Sequence, residues 1–150
     1  MKYFFSDTHF SHNNILRFER PNFTSIGEHD QYISKMLCDY SKILTTEDEL
    51  WFLGDWGNIN FLSLIYNFNC KKVAIRGNHD RDYIWADIQK AFDECYEFPI
   101  YISHNVAISH EPIIVSDTSI NLHGHLHDSK IDKKNYVNCN IALNNYKMVE

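Results

Sequence analysis

Hydrophobic and polar positions follow two rhythms along this chain. Lys2–Phe5 is a short apolar, aromatic run that stops at Ser6-Asp7-Thr8-His9, the pattern of a buried strand ending in polar residues. Over residues 27–44 the apolar side chains Ile33, Met36, Leu37, Tyr40, Ile43 and Leu44 recur at helical spacing. Residues 49–53 predict a second buried strand, closed by Gly54-Asp55. Residues 59–68 predict a helix that packs Phe61, Leu64, Ile65 and Phe68. A third strand over 72–75 runs into Gly77, and a further helix is expected from about Asp82 to Ala91. The second half changes character, with short β-type segments at 97–102, 106–109, 119–123 and 136–141. Alternating strand and helix followed by strands alone indicate an α/β fold. No Gly-, Pro- or Ser-rich linker, repeat or low-complexity tract interrupts the 150 residues, so one domain with no separate cap is expected over 1–150.

Composition narrows the function classes. The 14 basic and 20 acidic residues leave a formal charge of −6, which argues against a protein that coats DNA or RNA. No apolar run approaches the roughly 18 residues a membrane span needs. The N-terminal segment turns polar too early for a signal peptide, and the four cysteines, Cys38, Cys70, Cys95 and Cys139, never form a C-x-x-C pair. The expectation is therefore a cytoplasmic protein with reduced, mostly buried thiols and no membrane partner.

Candidate chemistry collects where apolar segments end. Five clusters place Asp, His or Asn there: Asp7-Thr8-His9, Gly54-Asp55, Gly77-Asn78-His79-Asp80, Ser109-His110 and Gly124-His125-Leu126-His127. They hold five of the nine histidines, so the histidine excess follows the clusters. At a strand end residues i and i+2 project to one side, so Asp7 with His9, and His125 with His127, are expected to grip an ion as pairs. Carboxylate, imidazole and amide donors without thiolate suit manganese, iron, zinc or magnesium, with nickel a further option. Seven such donors exceed one tetrahedral ion and fit two divalent ions sharing a carboxylate.

The order D-x-H, G-D, G-N-H-D, H, G-H-x-H across positions 7 to 127 resembles the calcineurin-like metallophosphoesterase superfamily. The opening stretch 5–15 and Asn144-Asn145-Tyr146-Lys147 are similar to its small bacterial and phage members. The resemblance implies a layered β-sandwich flanked by helices, with two divalent ions, manganese first, at the strand ends. Asp7, His9 and His127 would hold one ion, Asn78, His110 and His125 the other, and Asp55 would bridge. His79 would act as a general acid on the leaving group. Many relatives carry a further carboxylate just after Gly-Asp, where this chain has Trp56-Gly57-Asn58, so neighbouring Asp80 becomes the candidate that orients His79. The implied activity is hydrolysis of phosphate esters by an activated water between the ions. A small phosphodiesterase or phosphatase substrate, nucleotides included, is the leading expectation. A nuclease and a catalytically silent binding module are the alternatives. Extended nucleic acid is disfavoured, because two divalent ions bring the charge only from −6 to −2.

Outside these clusters, His12 and Asn13 either line the mouth of the site or form a plain surface loop, and Arg81 is placed to meet a substrate phosphate. Arg17 and Arg20 are read either as phosphate contacts or as the exposed side of a short helix. His123 reads as structural, while His29 and His104 carry no signal. The Lys130, Lys133, Lys134 group reads as a solvated turn.

Overall fold

A computed structural model describes residues 1–128 and 131–150, the Phe18 side chain excepted. Strands β1 (Lys2–Phe5), β2 (Glu49–Phe52), β3 (Lys71–Ile75) and β4 (Glu94–Tyr96) form one sheet in the order β1-β2-β3-β4, parallel throughout. Strands β5 (Ile100–Ser103), β6 (Val106–Ile108), β7 (Ile120–His123) and β8 (Tyr136–Asn138) form the second sheet in sequence order, with only the β5–β6 pair antiparallel. Helices α1 (Asn13–Phe18), α2 (Ile26–Ile43) and α3 (Asp82–Ala91) and a 3₁₀ helix (Ile59–Asn67) complete the chain. This is a layered α/β sandwich, as the sequence led one to expect.

Period-two alternation in the first sheet builds both cores. Phe5, Leu50, Phe52 and Ala74 face the helices, where Ile33, Leu37, Ile65, Trp85 and Ile88 are buried against them. Phe4, Trp51, Leu53, Val73 and Ile75 face the other way and meet Ile108 and Cys139 from the second half of the chain. A sheet buried on both faces explains why β1, β2 and β3 read as continuous apolar runs. The tail closes the sandwich beside β1: Phe4 and Val149 exchange amide–carbonyl hydrogen bonds of 2.8 and 2.9 Å, and Ser6 N donates to Cys139 O at 3.1 Å.

Two segments differ from their sequence reading. Residues 59–67 form a 3₁₀ helix because Ile59, Leu62, Ile65 and Phe68 recur every third residue, and a three-residue turn lays them in one stripe. Strand β4 carries no buried-strand pattern: Glu94-Cys95-Tyr96 is three half-buried residues at the sheet edge. Pro99, which has no amide to donate, precedes β5 and delays its start to Ile100. The tryptophans at 51, 56 and 85 are all core residues, and the four cysteines are unpaired. Lys133 and Lys134 lie exposed in a turn, while Lys130 falls outside the described residues. Among the described residues no helix is long and apolar enough to cross a membrane.

Leu37, fully buried between α2 and the first sheet, tests the helix-facing core. Leu37→Ala should lower unfolding free energy by about 2–5 kcal/mol in urea titrations. Tyr66→Ala, at a 63% exposed ring, should stay within about 0.5 kcal/mol.

Candidate metal centre

In parallel sheets the carboxyl ends of the strands share one edge, and polar loops placed there converge. Asp7 follows β1, Asp55 follows β2, Asn78 and His79 follow β3, His110 follows β6 and His125 follows β7. The turns are tight. Asp7, His9, Asp55 and His125 have φ of 59°, 46°, 65° and 66°, left-handed conformations that cost non-glycine residues energy and that cluster at functional sites. Gly54 shares that region with φ 98°, and a Cβ there would sit 2.6 Å from Gly77 Cα and from His110 Nδ1. The backbones of these turns therefore touch.

Asp7 and His9 do converge, but not by strand alternation. The strand has ended before them, and left-handed conformations at Asp7 and His9, on either side of Thr8, aim both side chains inward. His125 and His127, expected as a pair, diverge: His125 Nδ1 lies 3.2 Å from Asn78 Oδ1, whereas His127 Nε2 lies 3.3 Å from His9 Nε2 and 3.5 Å from Asp7 Oδ1. The left-handed turn at His125 breaks the i, i+2 relation on which pairing depended.

The side chains form two groups around Asp55. Asp7, His9 and His127 make one, with His9 Nε2 3.7 Å from Asp7 Oδ1. His110 Nε2 makes the other with Asn78 Oδ1 at 2.8 Å and Asp55 Oδ2 at 3.4 Å. Asp55 Oδ2 also lies 3.5 Å from His9 Nε2, between the groups. Atoms held about 2.0–2.2 Å from one ion stand about 3–3.6 Å from each other, close to these spacings. Asp55 Oδ2 is buried and accepts no hydrogen bond, while its Oδ1 accepts from His79 N at 2.9 Å. A buried carboxylate oxygen of this kind needs a positive partner, which His110 at 3.4 Å gives when protonated and which a divalent ion could give in its place. His110 satisfies a further requirement of a ligating imidazole, because Nδ1–H donates to Leu53 O at 2.7 Å and Nε2 faces inward. These residues could hold divalent metal.

Electrostatics agree. Burial works to raise the Asp7 and Asp55 carboxyls, yet both end below the ordinary range, Asp55 at about 2, because His110, His9 and, for Asp7, His127 surround them. Burial alone would lower His110, but Asp55 and Asp7 lift it to about 9. Burial lowers His127 to about 4.

The auxiliary residues sort differently. His79 is exposed at the lip, its ring centroid 5.6 Å from His9 and 6.0 Å from His12. Arg81 lines a cavity of about 390 Å³ with His12, His79 and Tyr83, and a second of about 420 Å³ is lined by His9, Asp55, His125 and His127 together with Glu19 and Asp128. Asn13 is not brought in: it opens α1, exposed, and lines neither cavity. Asp80 is also corrected. Its Oδ2 accepts from Asp55 N and Gly77 N and its Oδ1 from Trp56 N, each at 2.9 Å, so the carboxylate latches two turns together instead of orienting His79.

Sequence reasoning missed a supporting network. Arg20, 2% exposed, donates to Asp7 O and to Thr8 O (3.2 Å), and its third contact is His29 Nε2. Arginine only donates, so His29 accepts at Nε2 and gives Nδ1–H to Asp30 Oδ1 at 2.9 Å. Asp30 in turn accepts from Ser11 N at 3.0 Å. Both ends of the strained 7–11 loop are thus fastened to α2. Glu19 contacts His127 Nδ1, and Asn140 Nδ2 lies 3.2 Å from the same atom. A sequence signal existed only in proximity: one short helix carries the chain from His12 to Glu19-Arg20, too few residues to leave the neighbourhood.

No family model matches the chain. It is 28% identical over 170 residues to an uncharacterised protein of Methanocaldococcus jannaschii, covering 98% of this chain and 85% of that one. Among solved structures, a protein of unknown function from Aquifex aeolicus superposes with a TM-score of 0.77 at 26% identity, over 99% of this chain and 94% of the other. A nuclease of Pseudomonas putida gives 0.53 at 24% identity over 84% and 61%, and an archaeal phosphodiesterase 0.56 at 15% over 91% and 81%. The chain therefore shares the layered α/β sandwich fold of these structures. Its structural neighbours include phosphoester-cleaving enzymes, and its residues include candidate metal ligands.

The His110–Asp55 pair sets a pH dependence in chelator-treated protein. A histidine raised from 6.5 to about 9 contributes stability that is complete below about pH 6.5 and is lost as pH climbs through 9. Asp55, depressed to about 2, loses its contribution only as pH falls through that value. Thermal melts between pH 6 and 9.5 should fall on the alkaline side, and His110→Gln should flatten that fall. An unchanged slope in the variant would show that the pair does not set it.

Proposed function

We propose that the chain is a dinuclear metal-dependent phosphoesterase acting on small phosphate esters, diesters or monoesters, with residues 1–150 forming one catalytic domain. The observation that carries this reading is the buried Asp55 Oδ2, which lies 3.4 Å from His110 Nε2 and 3.5 Å from His9 Nε2, between the Asp7–His9–His127 and Asp7–Asp55–His110 groups. Asp7, His9 and His127 would hold one ion, Asn78, His110 and His125 the second, and Asp55 both. Oxygen and imidazole donors without thiolate favour manganese, with iron, zinc, nickel or magnesium able to substitute. When bound, two divalent ions neutralise phosphate oxygens and make water an effective nucleophile near neutral pH.

The protein's own residues supply the rest. His79, exposed beside His9 and His12, would give a proton to the departing alkoxide, and the hydrogen bond its backbone N–H donates to Asp55 Oδ1 keeps the lip in register with that carboxylate. His12 faces the same space, and Arg81 lines the cavity beyond it, where a phosphate or ester oxygen would find a guanidinium. Glu19 and Asp128 border the cavity on the other flank, which disfavours a polyanion continuing in that direction. With a chain charge of −6, this supports a compact substrate over extended nucleic acid.

Purified protein supplied with Mn²⁺ should hydrolyse bis-p-nitrophenyl phosphate, lose that activity to chelator, and leave single-stranded DNA largely intact. Faster turnover of the DNA would favour the nuclease reading, and no turnover of any ester by metal-loaded protein would favour a binding module. His79→Ala should keep its metal content yet lose about 10²–10⁴-fold in kcat on esters with poor leaving groups. Full activity of that variant on such esters would remove His79 from the chemistry.

A further inference from the structure

The end of α1 touches only one half of the centre. Glu19 Oε2 contacts His127 Nδ1, and Arg20 next to it grips the carbonyls of Asp7 and Thr8. The structure gives neither residue a contact with Asn78, His110 or His125, which are held by Leu53 O, by one another, by Asp55 Oδ2 beside His110 at 3.4 Å and, through the His125 amide at 3.1 Å, by the Asp7 carboxylate. His127 also differs from His110 in how its outer nitrogen is held. His110 Nδ1 faces a carbonyl, an acceptor that permits only the Nδ1–H form. His127 Nδ1 faces two groups of opposite demand. Glu19 accepts and asks for a proton on Nδ1, whereas the Asn140 amide nitrogen, 3.2 Å away, donates and asks for a bare Nδ1. The Asn140 orientation is set elsewhere, since its Oδ1 accepts from Ala142 N at 2.9 Å, which leaves Nδ2 toward the histidine.

A neutral imidazole has one proton to place. If Asn140 prevails, the proton goes to Nε2, the atom that faces Asp7 Oδ1 and His9 Nε2, and that lone pair is lost to a metal. If Glu19 prevails, Nδ1 carries the proton and Nε2 is free. We propose that Glu19 is a positioning residue that selects the Nδ1–H tautomer of His127 against Asn140, and so controls the Asp7–His9–His127 half of the centre alone. This rests on the reading of His127 as a ligand. It predicts a metal centre whose halves can be weakened separately from a side chain that touches neither substrate nor metal.

The test uses the full chain. In ¹⁵N-imidazole NMR of chelator-treated protein, with His127 assigned by its absence in His127→Asn, the unaltered chain should show Nδ1–H at His127. Glu19→Ala should move that signal to Nε2–H, and Glu19→Gln, which retains an acceptor oxygen, should restore much of the original form. Retention of Nδ1–H in Glu19→Ala overturns the proposal, whether or not metal binds. Mn²⁺ titration of the same variants should show one of two binding events weakened about 10-fold or more in Glu19→Ala, the other held within about twofold. Weakening of both events equally, or of neither, also overturns it. A melting temperature equal to that of the unaltered chain is expected, because Glu19 is partly exposed and outside both cores. If the unaltered chain binds no Mn²⁺, the dinuclear reading fails, while the tautomer spectrum still decides the role of Glu19.

Discussion

The arrangement of this molecule depends on two carboxylates, Asp7 and Asp55, kept out of water at the edge of a sandwich. An isolated buried carboxylate costs several kcal/mol even after relaxation, so it persists only where positive partners surround it. The chain supplies them in layers. Amides of His79 and His125 donate to Asp55 and Asp7, Ser6 Oγ donates to Asp7, imidazoles of His9, His110 and His127 close round both, and the Arg20 guanidinium lies behind the Asp7 backbone. After all of these, one oxygen still lacks a donor. The same feature that is costly in the unliganded chain is what makes the centre electrostatically ready for a cation.

Backbone strain follows from that constraint. Bringing loops from both sheets within reach of two carboxylates requires sharp reversals after β1, β2 and β7, and those reversals fall at Asp7, His9, Asp55 and His125 themselves. Such conformations survive only where surrounding contacts overdetermine them. Arg20 and Asp30 fasten the loop after β1, and the Asp80 carboxylate, with three backbone amides, fastens the turn after β2 to the turn after β3. Asp80 therefore belongs to the scaffold, and its carboxyl is raised by burial and by Asp55 close by.

This division explains what was legible in the sequence. Strands β1 to β3 announced themselves because burial on both faces demands unbroken apolar runs, and polar residues after them marked the site edge. The donors at 7, 9, 55, 78, 110, 125 and 127 were legible as residue types at strand ends. Their pairing was not, since left-handed turns replaced the strand geometry on which i, i+2 reasoning rests. Glu19, Arg20, His29 and Asp30 were illegible for a different reason: each is a common polar residue whose meaning comes from a partner far along the chain or across a loop. The 3₁₀ helix lay between these cases, with its three-residue apolar stripe present in the sequence but compatible with an α-helical reading.

The two halves of the centre thus rest on unequal foundations. Asn78 and His110 are placed by the turn after β3 and the end of β6, with the His110 ring fixed by a main-chain carbonyl that no substitution removes. Asp7 and His9 are tied to the turn after β2, Asp7 N donating to Gly54 O at 2.9 Å and His9 N to Asp55 O at 3.1 Å, but their loop and the His127 ring lean in addition on the side chains of Glu19, Arg20 and Asp30. Backbone-fixed ligands tolerate change in their surroundings, because the partner atom is present whatever the side chain. Side-chain-fixed ligands transmit it. On the proposed reading, variation in the loop and helix between His9 and Asp30 would alter the lip near His12 and the Asp7–His9–His127 group together, and so couple substrate fit to metal affinity.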